Sequence, residues 1–381
     1  MLLKAHSSYL NASFMMNKMI VSNLAHRPLR SAISVVAIAL EVTLILLIVG
    51  FSLGMLNGQR ERQAGIGADA IVLPPGSSNL VGITGAPMPA RIGDLVAKLP
   101  HVAVVSPVLI QISTGGGHLQ NLYGIDLRSY ENLHPFHYLA GGPFQQPDDV
   151  LVDDIFANGN HVKVGETLNL LNQTFRIVGI VAHGQGARVF FQLSKLQELN
   201  GAQGRVSAFY VKAEAPANAD AVVQAIKSMH DMETYGVYSM REYLSMLTPD
   251  NIPMLSTFIR IVIGISVTIG VIVIFQAMYT AVMERTREIG ILKSLGASKL
   301  YIIDAILRET TLLAFGGIAV GIVISFAAST AIRQRTTLPV DITSYWVLKA
   351  VVIAIVGALA GAIYPAFKAA QKDPIDALAY E

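Results

Sequence analysis

Met283-Glu284-Arg285-Thr286-Arg287-Glu288-Ile289-Gly290-Ile291-Leu292-Lys293-Ser294-Leu295-Gly296-Ala297-Ser298-Lys299 lies between two long apolar runs, Ile261–Met283 and Thr310–Ile332. Neither run holds a charged residue, and each is long enough to cross a bilayer as a helix. The stretch between them alternates charge signs at Glu284, Arg285, Arg287 and Glu288, with Ile289, Ile291, Leu292 and Leu295 interleaved. That pattern predicts a short amphipathic helix closing near Gly296, a C-cap residue. Composition alone is satisfied by a helix resting on the membrane surface.

The rest of the chain has the same character. Of its 381 residues 52% are hydrophobic and 14% charged, with a mean hydropathy of +0.51. Soluble domains carry about 25% charged residues, so composition points to a membrane protein. Net charge is +2 but unevenly spread: residues 57–255 hold 13 Lys+Arg against 17 Asp+Glu, and the remainder 15 against 9. Cysteine is absent, so a packed core rather than disulfides must hold the large insertion.

In chain order the sequence predicts an interfacial amphipathic helix within 1–30, a first span at 31–56, and an extracytoplasmic insertion at 57–255. A second span follows at 256–283, an inner loop at 284–309, a third span at 310–332, a short outer loop at 333–345, a fourth span at 346–367 and an inner tail at 368–381. The first span is too long for a cleaved signal segment and reads as a retained helix. Residues 1–30 carry Lys4, Lys18, Arg27 and Arg30 and no acid, which places both termini on the cytoplasmic side. Arg333 and Arg335 on the outer side mildly oppose that orientation. Tyr345 and Trp346 form an interfacial belt before the fourth span, and Lys349 is placed to snorkel outward. The fold class expected is an α-helical membrane protein with four transmembrane helices and a large mixed α/β domain between the first two. Within that domain, strands are expected at Ala70–Leu73, Val102–Ile112, Leu119–Gly124, Thr167–Leu171, Phe175–Val181, Val189–Gln192 and Val206–Ala213. Helices are expected at Arg91–Leu99 and Ala219–Met229, and a separate β-rich insert at about 140–203.

Glu41 is the one charge in the first span, where a carboxylate costs roughly 2.5–3.5 kcal/mol on insertion scales. Two readings stay open: a site for cargo or a proton, or a structural hydrogen bond to Thr43 or neighbouring helix groups. Gly50/Gly54, Gly317/Gly321 and Gly357/Gly361 are spaced for close helix contact, within a bundle or at a dimer seam. The sequence contains no G-xxxx-GK[ST] phosphate loop, no H-E-xx-H and no Cys/His cluster. Metal binding by His134 and His137 is outweighed by an ordinary surface loop. Asp148, Asp149, Asp153 and Asp154 read as a solvated loop and helix N-terminus rather than a paired-carboxylate site. Nothing points to nucleic acid.

Glu284–Ser298 also resembles the "ERxxEIGxLKxLGAS" cytoplasmic loop of the FtsX/MacB/LolC-type ABC permeases. Asn23–Ser31 resembles their entry into helix one, and Tyr364–Leu378 their "PA..AA..dPi.AL" ending. Val162–Ile180 and the neighbourhood of Asp69 resemble the extracytoplasmic domain more loosely. The resemblance implies a permease of the bacterial inner or plasma membrane that pairs with a second copy or a related permease and with two cytoplasmic ATPase subunits. It implies no cofactor in this chain, ATP and Mg being held by the ATPase. Glu284, Arg285, Arg287, Glu288, Ile289, Gly290, Ile291, Leu292, Lys293, Leu295 and Gly296 would then form the ATPase-coupling element. Motion of the outer domain would extrude a hydrophobic or amphipathic substrate, whether drug, peptide, lipid, lipoprotein or haem. The alternative is an FtsX-like mechanotransmitter acting on a cell-wall hydrolase. Membrane lipids, and in some members a membrane-fusion protein, complete the implied partners.

Overall fold

A computed structural model describes residues 28–77, 85–113, 120–335 and 338–372. The interfacial helix expected within 1–30 lies outside the described residues as far as residue 27, as do Gly115–Gly117, which the sequence reads as a turn, and the tail from Asp373. Two compact units divide the chain. One comprises the residues up to Ser52, Thr257–Gln334 and those from Val340; the other comprises Leu53–Ser256 with Arg335–Pro339.

The insertion follows α1 (Pro28–Gly65). Its first half is β1 (Ala70–Leu73), β2 (Met88–Pro89), α2 (Arg91–Val96), β3 (Val102–Ser113), β4 (Gln120–Ile125) and α3 (Leu127–Leu133). The middle is β5 (Tyr138–Gly141), β6 (Asp149–Asp153), α4 (Asp154–Asn160), β7 (Thr167–Leu170), β8 (Gln173–Val181), β9 (Val189–Gln192) and α5 (Leu193–Leu199). The last part is β10 (Arg205–Val206), β11 (Ala208–Ala213), α6 (Ala219–Lys227), β12 (Gly236–Ser239) and α7 (Met240–Met246). The helical remainder is α8 (Pro253–Glu284), α9 (Thr286–Ser294), α10 (Lys299–Arg335) and α11 (Ser344–Gln371).

Four of these helices, α1, α8, α10 and α11, are long and apolar enough to cross a membrane. Their packing depends on missing side chains. A Cβ at Gly317 would lie 2.6 Å from the Ile38 Cβ, and one at Gly321 2.8 Å from the Ala39 carbonyl, so α10 meets α1 backbone to backbone. Gly361 brings α11 onto α8 in the same way, 2.7 Å from the Val271 carbonyl. These two glycine pairs are therefore used inside one chain. Within this chain Gly50 meets a loop rather than a helix: its carbonyl accepts from the Asp341 N–H at 2.8 Å, and its open face takes Val340 and Ile342. Gly54 is buried within the other unit.

All four helices overrun their expected spans, two of them by nine residues or more at one end. α1 continues through Asn57–Gly65, and α10 begins eleven residues early, at Lys299. The first extension is polar and lies in what the sequence reading gives to the insertion; the second, Lys299–Glu309, mixes charges with Leu300, Ile302, Ile303 and Ile306 and lies in what it gives to the inner loop. Gln59 and Gln63, one turn apart, are buried within the insertion unit: Tyr210 donates to Gln63 Oε1 at 2.8 Å, and Gln63 Nε2 donates to the Tyr123 hydroxyl at 3.0 Å.

The insertion is built on a single ten-stranded sheet in the order β12-β1-β11-β3-β4-β9-β6-β8-β5, with β7 on β8. The β-rich insert expected at about 140–203 is thus not a separate sheet. It joins the rest through the parallel β4–β9 pair, Leu122 opposite Val189 to Ile125 opposite Gln192. Asp69, beside the entry strand, staples that end: its carboxylate accepts from the Ala213 N–H at 2.9 Å and its carbonyl from the Met240 N–H at 2.8 Å. One core cluster holds Tyr123, Tyr130, Phe190 and Tyr210; α6 closes a second over Val72 and Val211; α4 and α5 pack on a third around Phe175 and Phe191.

Candidate coupling surface and buried carboxylates

α8 ends at Glu284, so Glu284 belongs to the end of the second span rather than to the short helix after it. Thr286 begins α9 and returns its hydroxyl to the Met283 carbonyl at 2.9 Å. At the far end Gly296 takes φ +94°, the Gly296 N–H donates to Lys293 O and the Ala297 N–H to Leu292 O, both at 3.0 Å. This paired 6→1 and 5→2 closure satisfies the last carbonyls, and it needs glycine at the left-handed position. Ser298 then caps α10 by accepting from the Tyr301 N–H at 3.2 Å.

Side-chain contacts clamp α9 at both ends. Arg285 pairs with Glu309 of α10 at 3.2 Å, both side chains largely shielded. Lys293 donates to the carbonyls of Ala370 (3.0 Å) and Lys372 at the end of α11. Ile289 packs inward on Val282, Ile302 and Ala369, and Gly290 is buried. The outward stripe is Glu284, Arg287, Glu288, Ile291 and Leu295, spaced at three and four residues. Leu295 is 80% exposed, as is most of Leu300 nearby. Of Ile289, Ile291 and Leu292, which the resemblance places together in the coupling element, only Ile291 faces outward; Ile289 and Leu292 line a cavity within the chain.

Glu41 sits in α1 with 4% exposure. Its carboxylate lies against Gly270 of α8, and Oε1 is 3.7 Å from where a Cβ would stand on Gly357 of α11. Thr43 does not serve it: the Thr43 hydroxyl donates to Gly321 O at 3.2 Å. Glu41 Oε1 has no hydrogen-bond partner among the described residues.

The acidic group in the insertion forms the expected helix N-terminus at Asp153 and Asp154, but two of its four carboxylates depart from the solvated reading. Asp149 and Asp153 are each 1% exposed. Burial raises the Asp149 carboxyl, but the Gln145 and Gln146 N–H groups and Arg176, 2.9 Å away, outweigh it and hold the group below its ordinary value. Asp153 caps α4 through the Phe156 N–H, yet burial pushes its carboxyl up to about 6, and Oδ2 has no partner among the described residues. Asp148 pairs with Lys195 at 2.8 Å and Asp154 with His183 at 3.0 Å. His134 faces Gln185. Among the described residues no three His, Cys, Asp or Glu side chains form a metal-binding group. Arg333, which argued against its assigned side, is countered by Asp341 at 3.2 Å. Lys349 stands over both the Tyr345 and Trp346 rings, 4.5 and 4.6 Å from their centroids.

Four apolar helices, an α/β insertion after the first and a short clamped helix after the second define an integral membrane protein of the permease class. Residues 31–229 match the MacB-like periplasmic core domain and residues 260–374 the FtsX-like permease C-terminal domain; the chain belongs to this MacB/FtsX-like ABC permease family. It is 24% identical over 391 residues to the macrolide export ATP-binding/permease protein MacB of Neisseria meningitidis, covering 94% of this chain and 59% of that one. It is 34% identical over 159 residues to the uncharacterized ABC transporter permease YknZ of Bacillus subtilis, covering 42% of this chain and 40% of the relative. The chain therefore spans under two thirds of the length of these relatives. The crystal structure of the periplasmic region of MacB from Actinobacillus actinomycetemcomitans aligns with a TM-score of 0.37 at 17% identity, over 47% of this chain and 92% of the other.

Proposed function

We propose that this chain is the permease part of an ABC transporter. ATP hydrolysis by an ATPase outside these 381 residues would move its insertion domain, extracytoplasmic in this reading, to extrude a hydrophobic or amphipathic substrate. Two permease copies and two ATPase copies would form the working assembly, with α9 and both chain termini on the cytoplasmic side of a bacterial membrane. The observation that carries this reading is the outward stripe of α9. Ile291 and Leu295 leave apolar side chains uncovered beside Arg287 and Glu288, while both ends of the helix are fastened to α10 and α11. A surface so presented and so rigidly held is suited to receive force rather than to cover a core. Interface energy concentrates in a few apolar anchors, commonly about 2 kcal/mol or more each, while rim charges set orientation and association rate. Glu41, buried and with Oε1 unpartnered among the described residues, is the intramembrane group we propose to act in the transport cycle.

The test is co-purification of tagged permease with its ATPase. Ile291→Asp and Leu295→Asp are expected to release the ATPase, and Glu284→Ala to weaken it only slightly. Full retention by both Asp variants would remove the coupling assignment.

A further inference from the structure

Behind α9, bordered by Glu288 where its outward stripe turns inward, lies a cavity of about 320 Å³. Met278 and Val282 of α8, Ile289 and Leu292 of α9, and Ile302 and Ile306 of α10 wall it with apolar surface. Ligand sites of small molecules run from about 300 to 1,000 Å³ and combine such walls with a few convergent polar groups. Here those groups are the Arg285–Glu309 pair, Glu288 and Tyr301. Arg285 is neutralised by Glu309 at 3.2 Å. Glu288, whose side chain reaches solvent, adds a second carboxylate. The lining therefore carries one net negative charge on an otherwise apolar surface, with an aromatic ring alongside.

From this geometry we infer a binding site for a lipophilic monocation. The apolar body fills the space between α8, α9 and α10, and the positive charge lies toward Glu288 and the Tyr301 ring. Lipid chains fit the walls but find no use for the carboxylate, and an anion meets it as a like charge. The site is made by this chain alone and does not depend on an ATPase docking to α9, so it is tested on the permease by itself.

The experiment uses full-length permease in phosphatidylcholine nanodiscs and two ions of one shape and opposite charge, tetraphenylphosphonium and tetraphenylborate. Saturable phosphonium binding, one per chain above empty nanodiscs, is expected, with no saturable borate binding. Ala305→Phe, which fills the cavity from α10, should abolish phosphonium binding. Glu288→Gln, at an exposed position that leaves folding intact, should weaken it about threefold, the scale of a partly exposed ion pair. Absence of saturable phosphonium binding, equal binding of both ions, or an unchanged affinity in Glu288→Gln would each overturn the assignment. Equal binding would identify a lipid slot instead.

Discussion

Glu41 of α1 is pressed against Gly270 of α8 so closely that a methyl group at 270 would overlap the carboxylate and lie 2.9 Å from its Cδ. In an isolated helix Gly→Ala stabilises by up to about 1 kcal/mol. Here Gly270→Ala should destabilise the purified permease by roughly 1–3 kcal/mol, the cost of overpacking a filled site. Glu41→Ala in the same chain should recover most of that loss. A double-mutant cycle from unfolding in detergent reads the coupling; strictly additive effects would mean the two residues do not share the space.

The transport role assigned to Glu41 has a separate test. Glu41→Gln keeps the shape and removes the charge. Cargo-stimulated ATPase activity should disappear while basal turnover and assembly persist. Stimulation at the parental level would leave the side chain a packing element only.

Ile289 and Ile291 are two residues apart and should behave oppositely. Ile289→Asp sets a charge against Val282, Ile302 and Ala369. Permease stability should fall by about 2–4 kcal/mol, as for other unpaired charges in a core. Ile291→Asp, on the exposed stripe, should leave the melting curve of the permease in place. Equal melting shifts would contradict the orientation of α9.

Asp153 and Asp149 should give the insertion opposite pH slopes. The folded Asp153 carboxyl titrates near 6, above its ordinary 3.8, so between those values the native state holds more protons than the unfolded chain. Stability is then lost as pH rises through that window, by about 3 kcal/mol at 1.36 kcal/mol per unit. Asp153→Asn should stabilise above pH 7 and do little at pH 4. Asp149, held low, contributes stability above its unfolded value that disappears as pH falls. Asp149→Asn should therefore cost about 1–3 kcal/mol at pH 7 and progressively less in acid. Unfolding at pH 4 and 7.5 decides both; pH-independent effects would refute the assigned protonation states.

Sidedness can be read from single cysteines, since the chain has none of its own. Ser228 and Ser294 are both exposed, one after α6 and the other at the end of α9. An impermeant thiol reagent on intact cells should modify Ser228→Cys and spare Ser294→Cys. The reverse pattern would invert the proposed orientation. Ser207 would be a poor reporter, because it is buried and bonded to the Ile110 N–H.

Where a local pattern determines structure, the sequence was readable. The charge-rich stretch between two apolar runs located α9, and Gly296 its end. Strands at Ala70–Leu73 and Val189–Gln192 lie where alternation and turn residues placed them. The facing of α9 was not readable, because Ile289 and Ile291 differ only in which helix covers them. In the acidic cluster the helix N-terminus at Asp153 and Asp154 was readable, but the burial of Asp149 was not: it is satisfied by Arg176, 27 residues on, and no local feature of the Asp run announces that partner. The unity of the sheet rests on β4 meeting β9 in parallel, a long-range pairing with no turn signal. The helix through Asn57–Gly65 was not readable because its buried residues are glutamines rather than apolar side chains.

In the sheet the entry strand β1 is flanked by β11 and β12, the last two strands before exit, with Ala70 directly opposite Ser239. Antiparallel partners stand about 4.5–5.5 Å apart at Cα, so the chain enters and leaves the insertion through one narrow clasp. The β5–β8 edge lies at the opposite end of the sheet, six strands beyond β11, so a change of length there leaves the clasp closed.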